Sequence, residues 1–217
     1  VDWLTASRKR DWHYWRRYRD YLESKLSDTV VEGLDEATDD ILGLLEDPQR
    51  ADSWDRRGLV VGHVQSGKTS NYSGLICKAA DAGYKIIIVL AGVHNNLRSQ
   101  TQMRLEESFL GYETTVDRDP GMPIGVAAFG EDLKTNSATT RAENGDFNSA
   151  IAGHFRGISP EERPWLFVVK KQKTVLTALL HWIQERVEDS ADAADGRKLV
   201  TKLPLLMIDD EADNASV

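Results

Sequence analysis

The spacing of apolar residues changes near residue 53 and divides the chain into two parts. Before this point, apolar residues recur every three or four positions, as in helices that bury one face. From residue 58 onward, short continuous apolar runs alternate with helical patterns, which predicts a mostly parallel central sheet flanked by helices. We therefore expect an α/β fold, with an N-terminal helical region over 1–53 and a second domain over 54–217.

The first predicted helix carries aromatic residues on one side. Trp12, Trp15, Tyr18 and Leu22 fall together at spacings of three and four. The same segment also contains basic residues: Arg8, Lys9, Arg10, Arg16, Arg17 and Arg19. One interpretation is a basic, aromatic surface for nucleic acid. We favour the other, an amphipathic helix that docks its aromatic side chains and points its arginines at water, because aromatic residues at helical spacing usually mark a core.

A second helix is predicted over 29–45, with an apolar stripe formed by Val30, Leu34, Ile41 and Leu44. In the second domain, apolar runs predict strands over 58–61, 85–91, 124–129, 165–169 and 203–208. Helical patterns predict helices over 70–82, 95–109 and 174–188, the first two ended by Gly83 and Gly111. We expect a loop-rich insertion over 131–164, with one helix around 147–155, and a polar loop over 190–198.

Composition narrows the possible functions. The 217 residues carry a net charge of −8, which argues against a protein that coats nucleic acid regardless of sequence but allows a local basic groove. Cys77 is the only cysteine, so an internal disulfide is excluded, and its apolar neighbours favour a buried thiol in a reducing compartment. No apolar run is long enough for a membrane span. We therefore expect a cytoplasmic protein without a membrane partner.

Residues 62–69, with the sequence GHVQSGKT, fit the phosphate-binding loop pattern G-x-x-x-x-G-K-[ST]. Between a strand and a helix, the glycines let the backbone curve around a phosphate. The N–H groups of Gln65, Ser66, Gly67, Lys68 and Thr69 can then point inward, beside the positive end of the helix dipole. Lys68 is placed to reach the β- and γ-phosphates, and the Thr69 hydroxyl to ligate Mg²⁺. The pattern predicts an ATP and Mg²⁺ site that begins at Gly62.

The last predicted strand ends in the acidic run DDEAD over 209–213. In a parallel sheet this run lies at the carboxyl edge, where α/β sheets bind ligands. One carboxylate there can hold Mg²⁺ and the next can polarise the attacking water. Two registers are possible from the residues alone: Asp210 with Glu211, or Asp209 with Asp210. Because the longer glutamate side chain can reach past the metal, we expect Asp210 to serve Mg²⁺ and Glu211 to act as the catalytic base.

These motifs resemble those of a known family. Residues 210–213 match the DEAD motif of superfamily-two helicases, and 62–69 are similar to their first motif. More specifically, residues 57–69, 81–85, 94–101 and 208–214 resemble the Z-one domain. The resemblance implies a RecA-like P-loop ATPase lobe of a helicase-like motor that acts on DNA. It also implies a bacterial restriction or defence system, in which such ATPases are often found beside a nuclease.

The same resemblance carries expectations about partners. Since the chain stops just past the acidic run, we expect the remaining ATPase lobe of the same protein, with its arginine finger, to follow it, and hydrolysis by this piece alone to be very slow. Segments similar to the helicase motifs that grip one nucleic-acid strand predict phosphate-backbone contacts. The residues concerned are Asn95, Asn96, Arg98, Lys170 and Lys171. Flanking or stacking contacts to the base are also possible from Trp54, Arg56 and Arg57.

Two alternatives remain open at this stage. The first is a non-motor P-loop protein that uses ATP as an assembly switch or scaffold, without moving along nucleic acid. The second is a nuclease, because Asp119, Asp132 and Lys134 faintly imitate a D…D-x-K metal site. That pattern is short and common, and a magnesium site needs its carboxylates to converge in space. We therefore give the nuclease interpretation little weight.

Overall fold

A computed structural model of the chain describes residues 3–51, 53–61, 67–114, 122–133, 135–148, 150, 163–186, 190–192, 198–200, 203–210 and 212. Over these residues the chain is an α/β protein with five α-helices and six strands. The helices are α1 (Tyr14–Glu23), α2 (Asp28–Leu44), α3 (Lys68–Ala82), α4 (Asn95–Leu105) and α5 (Lys173–Arg186). The strands are β1 (Ile86–Ala91), β2 (Asn136–Ser137), β3 (Trp165–Val169), β4 (Ser190–Asp192), β5 (Lys198–Val200) and β6 (Leu205–Asp210). No helix among the described residues is long and apolar enough to cross a membrane.

The chain forms two compact units. Unit 1 comprises Val1–Tyr84, Arg104–Glu113 and Met122–Lys134, and unit 2 comprises Lys85–Met103, Thr114–Gly121 and Thr135–Val217. The division falls elsewhere than the expected boundary at 53/54. Its cause is the packing of α3, which contacts both α1 and α2 and so joins the N-terminal helices.

The sheet of unit 2 is parallel throughout, in the order β2-β3-β1-β6. In register, Ile88 of the central strand β1 lies between Phe167 of β3 and Met207 of β6. Every residue of β1 and β3 is buried, as continuous apolar runs predict for strands covered on both faces. The strands predicted over 85–91 and 165–169 are confirmed. The last strand ends at Asp210 rather than at residue 208, so two acidic residues belong to it.

An aromatic cluster forms the core on one face of this sheet. The Trp182 ring of α5 lies 5.5 Å from the Trp165 ring, 5.2 Å from the Phe167 ring and 6.1 Å from the Phe147 ring, measured between centroids. All four side chains are at most 3% exposed. Rings at these tilted and edge-on distances attract one another beyond their simple burial. This cluster ties α5 to the sheet.

Two further predictions concern segments of unit 2 outside its four-stranded sheet. The polar loop predicted over 190–198 is wrong at both ends, because β4 and β5 pair there in an antiparallel ribbon. The backbone hydrogen bonds of such a ribbon form between polar residues as well as apolar ones, so the composition of the segment did not indicate it. The helix predicted around 147–155 lies largely outside the described residues.

In unit 1, the predicted aromatic face is buried: Trp12, which lies just before α1, and Trp15, Tyr18 and Leu22 on α1 are all at most 7% exposed. The expectation that the arginines of this helix point at water is wrong for Arg17, which is 3% exposed. Its guanidinium donates to the carbonyls of Phe109 at 2.5 Å and Glu131 at 3.3 Å. Burial lowers the pKa of Arg17 from its usual value. A fixed guanidinium thus connects α1 to the helical turn at Phe109 and to the loop at Glu131.

The apolar stripe predicted for α2 is wrong by one position. Val30 and Leu44 are exposed, whereas Val31, Thr38 and Leu42 are fully buried. Thr38 can lie in the seam because its hydroxyl donates to the Leu34 carbonyl at 2.7 Å within the same helix. A pattern of apolar residues therefore misses a buried threonine whose hydroxyl forms its hydrogen bond within its own helix.

Residues 58–61 do not form the predicted buried strand. Leu59 is 81% exposed and Val61 is 87% exposed. A strand forms only where a neighbouring strand completes its backbone hydrogen bonds. Within the part of the chain that the structure describes, residues 58–61 pair with no strand.

The strand predicted over 124–129 is also wrong, since Gly125–Phe129 is a 3-10 helix. Its first residue, Gly125, has a φ of +53°, and a Cβ there would lie 2.0 Å from the carbonyl oxygen of Glu107. Only glycine allows so close a backbone approach. The helix predicted over 95–109 does form, but its final turn, Glu106–Leu110, widens into a π-helix before Gly111 ends it with a φ of +85°.

Candidate functional site

The predicted phosphate-binding loop is described from Gly67 onward, while Gly62, Gln65 and Ser66 lie outside the described residues. Gly67 has left-handed backbone angles, with φ +76° and ψ +23°, directly before α3. Its carbonyl accepts the N–H of Asn71 at 3.0 Å, the first hydrogen bond of the helix. Lys68 is the first residue of α3 and its side chain is exposed. The helix therefore begins where the loop pattern requires, with its positive dipole end at Lys68 and Thr69.

The Thr69 hydroxyl, the predicted magnesium ligand, has a protein partner. Arg104, at the end of α4, donates from Nη1 to Thr69 Oγ1 at 3.3 Å. Both residues belong to unit 1. The sequence patterns did not single out Arg104.

One stripe of α3 continues this contact into the interior of unit 1. Ser73, one turn after Thr69, has its hydroxyl oxygen 3.1 Å from that of Ser108, which lies one turn after Arg104. A further turn along, Cys77 donates from Sγ to the Ser108 carbonyl at 3.5 Å. Cys77 is fully buried, as predicted, and burial raises the pKa of its thiol. This stripe, Thr69, Ser73 and Cys77, fixes the register between α3 and the turn that carries Arg104.

On another side, α3 is held by a buried ammonium. The Lys78 Nζ lies 2.5 Å from a carboxylate oxygen of Asp35 and 2.6 Å from one of Asp39, both on α2. It also lies 4.3 Å from the centre of the Trp15 ring, in a cation–π contact with α1. The Lys78 side chain is 0% exposed. This network connects α1, α2 and α3 through one charge.

The last turn of α3 also anchors α1. The Asp81 carboxylate accepts the backbone N–H groups of His13, Tyr14 and Trp15 at 2.9, 3.0 and 2.8 Å. These are the free N–H groups at the start of α1, which has no cap from its own side chains. Burial raises the pKa of Asp81 to about 6, although the three N–H bonds act in the opposite direction. A distant carboxylate thus takes the role of a local cap.

In unit 2, the acidic run begins inside β6. Asp209 and Asp210 are its last residues, so their side chains leave opposite faces of the sheet. Asp209 pairs with Lys171, Nζ to Oδ1 at 2.5 Å, and in the register of β6 against β1 it lies beside Leu90, while Asp210 lies beside Ala91. The assignment of Mg²⁺ to Asp210 stays a prediction. Glu211, the predicted base, lies outside the described residues.

Four of the candidate nucleic-acid residues divide into two kinds. Asn95 and Asn96 are exposed at the start of α4. Lys171 is 9% exposed in its pair with Asp209, and Lys170 is 18% exposed, with its Nζ 3.8 Å from Asp146. The asparagines are accessible to a phosphate backbone, while both lysines already face a carboxylate.

The fifth candidate, Arg98, is fully buried, and its Nη2 donates to the carbonyls of Thr140 at 2.9 Å and Ala142 at 2.5 Å. A guanidinium inside unit 2 is not available to a surface phosphate, so this assignment is corrected. A neighbour on the same helix, Gln102, exchanges hydrogen bonds with Ser137 and Thr139. The helix-periodic polar residues of α4 therefore hold the insertion in place, which explains why its sequence lacks an apolar stripe.

The residues suggested for base contacts form contacts with other residues of the chain. Trp54 packs edge-on to Tyr84, Arg56 pairs with Glu46 at 3.1 Å, and Arg57 pairs with Asp55 at 2.8 Å. Asp119 and Lys134 of the nuclease pattern lie outside the described residues. Among the residues that are described, no three His, Cys, Asp or Glu side chains are grouped to hold a metal ion.

Comparisons of the chain with protein-family models, with curated proteins and with solved structures found no match. Sequence reasoning missed Arg104, Lys78 and Asp81, all of which act on α3 or its contacts. One signal was present: Thr69, Ser73 and Cys77 recur at a spacing of four, which places small polar side chains on one face of the helix.

Proposed function

We propose that this chain is the nucleotide-binding lobe of a helicase-like motor, an ATPase with a RecA-like P-loop fold that acts on DNA. One observation carries the proposal. Gly67, the second glycine of the motif G-x-x-x-x-G-K-[ST], has left-handed backbone angles and directly precedes the 15-residue helix α3. Such a glycine at the start of a helix supports a phosphate-binding loop, with Lys68 and Thr69 in the first turn.

The residues present fit ATP and Mg²⁺. The exposed Lys68 would contact the β- and γ-phosphates, together with N–H groups of Gly67 and the preceding loop residues. Oxygen is the ligand atom that Mg²⁺ prefers, and the Thr69 hydroxyl supplies one such atom. When bound, the metal ion neutralises charge on the phosphates during their transfer.

The acidic run supplies the remaining roles in this proposal. Asp210 would hold Mg²⁺, and Glu211 would orient and deprotonate the attacking water. Asp209 has no role in this assignment, and its carboxylate pairs with Lys171. A helicase-like cleft also needs a second ATPase lobe to exclude water from the γ-phosphate. By the resemblance to the Z-one domain, that lobe and a nuclease would be partners in a cytoplasmic restriction-type system.

The first test is calorimetric titration of the chain with Mg²⁺-ATP. Lys68→Ala should weaken binding by more than about tenfold, because one charge-assisted contact in a desolvated site contributes about 1.5–3 kcal/mol. Lys25→Ala is the matched control, since it removes another exposed lysine of unit 1. Equal affinities for Lys68→Ala and the parent would refute the site.

The acidic residues allow an internal comparison in the same titration. Asp210→Asn should weaken the magnesium-dependent part of the binding, whereas Asp209→Asn should leave it unchanged. The reverse result would show that Asp209 holds the metal ion.

A second candidate is an ATP-dependent assembly switch that does not move on DNA. It is favoured by the placement of Arg98 inside unit 2 and by the pairing of Lys171 with Asp209, which leave fewer free cations for phosphates. Filter binding to DNA at increasing salt separates the two functions. A motor lobe should show weak, steeply salt-dependent binding that is reduced by mutation of Asn95 and Asn96. A switch should show no DNA binding but a change in oligomeric state on addition of ATP.

A further inference from the structure

The exposed Arg104 contacts the first turn of α3. In unit 1, Arg8 and Arg19 pair with the carboxylates of Asp47 and Glu23, whereas Arg16 and Arg17 donate to backbone carbonyls. Among the described residues, the recorded partner of the Arg104 guanidinium is a neutral hydroxyl, that of Thr69 at 3.3 Å. A neutral acceptor leaves its positive charge uncompensated.

The position of this charge is fixed by packing. The turn after Arg104 is attached to α3 by the contact between the Ser108 and Ser73 hydroxyls, and the Ser108 hydroxyl donates to the Arg104 carbonyl at 2.8 Å. The buried thiol of Cys77 contacts the Ser108 carbonyl one turn further along. These contacts hold the base of the Arg104 side chain against α3 while its guanidinium stays exposed at the first turn of the helix.

We propose that Arg104 is a phosphate ligand of the nucleotide site, and that it occupies the magnesium position on Thr69 while the site is empty. The inference rests on the proposed ATP site. Because Arg104 donates to Thr69 Oγ1, its guanidinium lies where a metal ion bound to that oxygen would lie, and the two positive charges would repel each other there. Binding of the phosphates, with or without Mg²⁺, would draw the guanidinium from Thr69 Oγ1 to the phosphate oxygens. Arginine is well suited to a phosphate there, because its several N–H donors reach two oxygens at once.

This exchange has a consequence for metal-free ATP. Without Mg²⁺, the guanidinium is the cation that offsets the phosphate charge together with Lys68, so its removal matters most under that condition. With Mg²⁺ bound, the metal ion takes part of that charge, and the removal of Arg104 matters less. A purely structural role for Arg104 would instead affect both forms equally.

The experiment measures the affinity of the 217-residue chain for ATP, once with EDTA and once with excess Mg²⁺. We expect Arg104→Ala to weaken metal-free ATP binding about tenfold or more, the scale of one charge-assisted contact, and to weaken Mg²⁺-ATP binding by a smaller factor. Arg104→Lys should recover part of the loss. The matched control, Arg16→Ala, removes an exposed arginine of α1 and should change neither affinity.

Three results would overturn the inference. The first is equal metal-free affinity for the parent and Arg104→Ala. The second is an equal loss under both conditions without recovery in Arg104→Lys, which would assign Arg104 a structural role. The third is a parent chain that binds no ATP, which would refute the proposed function as well. In the first two results the parent still binds ATP, so the failures of the two proposals are distinguishable. Circular dichroism of each variant confirms that a loss of affinity is not a loss of fold.

Discussion

The sheet core of unit 2 and the contacts between the helices of unit 1 rest on different chemistry. Unit 2 buries continuous apolar strands beneath a cluster of four aromatic rings around Trp182. Unit 1 also buries aromatic side chains, but it places charges between its helices: the Lys78 ammonium between two carboxylates, the Arg17 guanidinium on two carbonyls, and the Asp81 carboxylate on three N–H groups. Apolar runs in the sequence indicate the first kind of contact, whereas no apolar pattern indicates the second.

The difference matters for how each interior fails. Removal of an apolar side chain takes away contacts and leaves a cavity, whose energy depends on the lost volume. Removal of one member of an ion pair leaves its partner charged and without compensation, so the loss depends on how far water can reach that partner. Three substitutions test this contrast, in order of decreasing expected loss of stability.

Trp182→Ala should destabilise the chain most, by about 3–5 kcal/mol, because a 3% exposed indole is removed from three aromatic neighbours. Denaturant unfolding followed by circular dichroism measures the free energy of unfolding. Leu180→Ala on the same helix is the control and should change it by less than about 0.5 kcal/mol, because that side chain is exposed. A Trp182→Ala effect as small as the control would show that the aromatic cluster contributes little to stability.

Lys78→Met should be next, at about 3 kcal/mol, the lower end of the range for breaking a buried pair. The lower end applies because Asp35 and Asp39 keep 26% and 24% of their side chains exposed, so water can reach them. Neutralising both carboxylates with Asp35→Asn and Asp39→Asn in the Lys78→Met background should restore part of the loss. If the triple variant is less stable than Lys78→Met alone, repulsion between the Asp35 and Asp39 carboxylates is not the cause, since each also pairs with a second cation, Arg19 and Lys9.

Asp81→Ala should have the smallest effect, about 1–2 kcal/mol, the usual value of a helix N-cap. Its pH dependence gives a sharper test. Since burial raises the pKa of Asp81 from 3.8 to about 6, the folded chain binds this proton more tightly than the unfolded chain. The stabilisation from Asp81 is therefore complete below pH 3.8 and is lost as the pH rises through about 6.

The destabilisation by Asp81→Ala should accordingly be larger at pH 4.5 than at pH 7, as measured by urea unfolding at both pH values. Asp81→Asn keeps one acceptor oxygen and does not titrate, so its own effect should be smaller than that of the alanine variant. If the effect of Asp81→Ala grows with pH, the cap depends on the ionised carboxylate and the sign of the pKa shift is wrong.

The same contrast explains how much of the fold the sequence predicted. Buried parallel strands have a strong signal, so β1 and β3 were predicted nearly to the residue. Contacts between elements that are formed by polar residues have only a weak signal in the sequence. The face of α2 was misplaced because Thr38 satisfies its own hydroxyl, and α4 has no apolar stripe because Arg98 and Gln102 bind loop carbonyls and side chains. The turn at Gly125 was mistaken for a strand because a close backbone approach leaves no pattern in neighbouring residues.

For the candidate site, local geometry was predictable and pairing was not. The start of α3 at Lys68 follows from the loop pattern, since a glycine with positive φ directly precedes the helix. The partners of Lys171 and Arg98 depend on residues 38 and 42 positions away, which no local pattern encodes. Arg104 reaches Thr69 across 35 positions for the same reason. A local sequence pattern therefore predicts where a helix begins, but it does not predict which partner a basic side chain will bind.

The buried thiol on α3 has a practical consequence. Cys77 is the only cysteine of the chain, it is fully buried, and burial raises the pKa of its thiol. Thiol reagents react with the thiolate and need access to it, so labelling must wait for α3 to separate from the turn that carries Ser108. The labelling rate therefore records how often this helix opens, at a single defined atom and without any engineered probe.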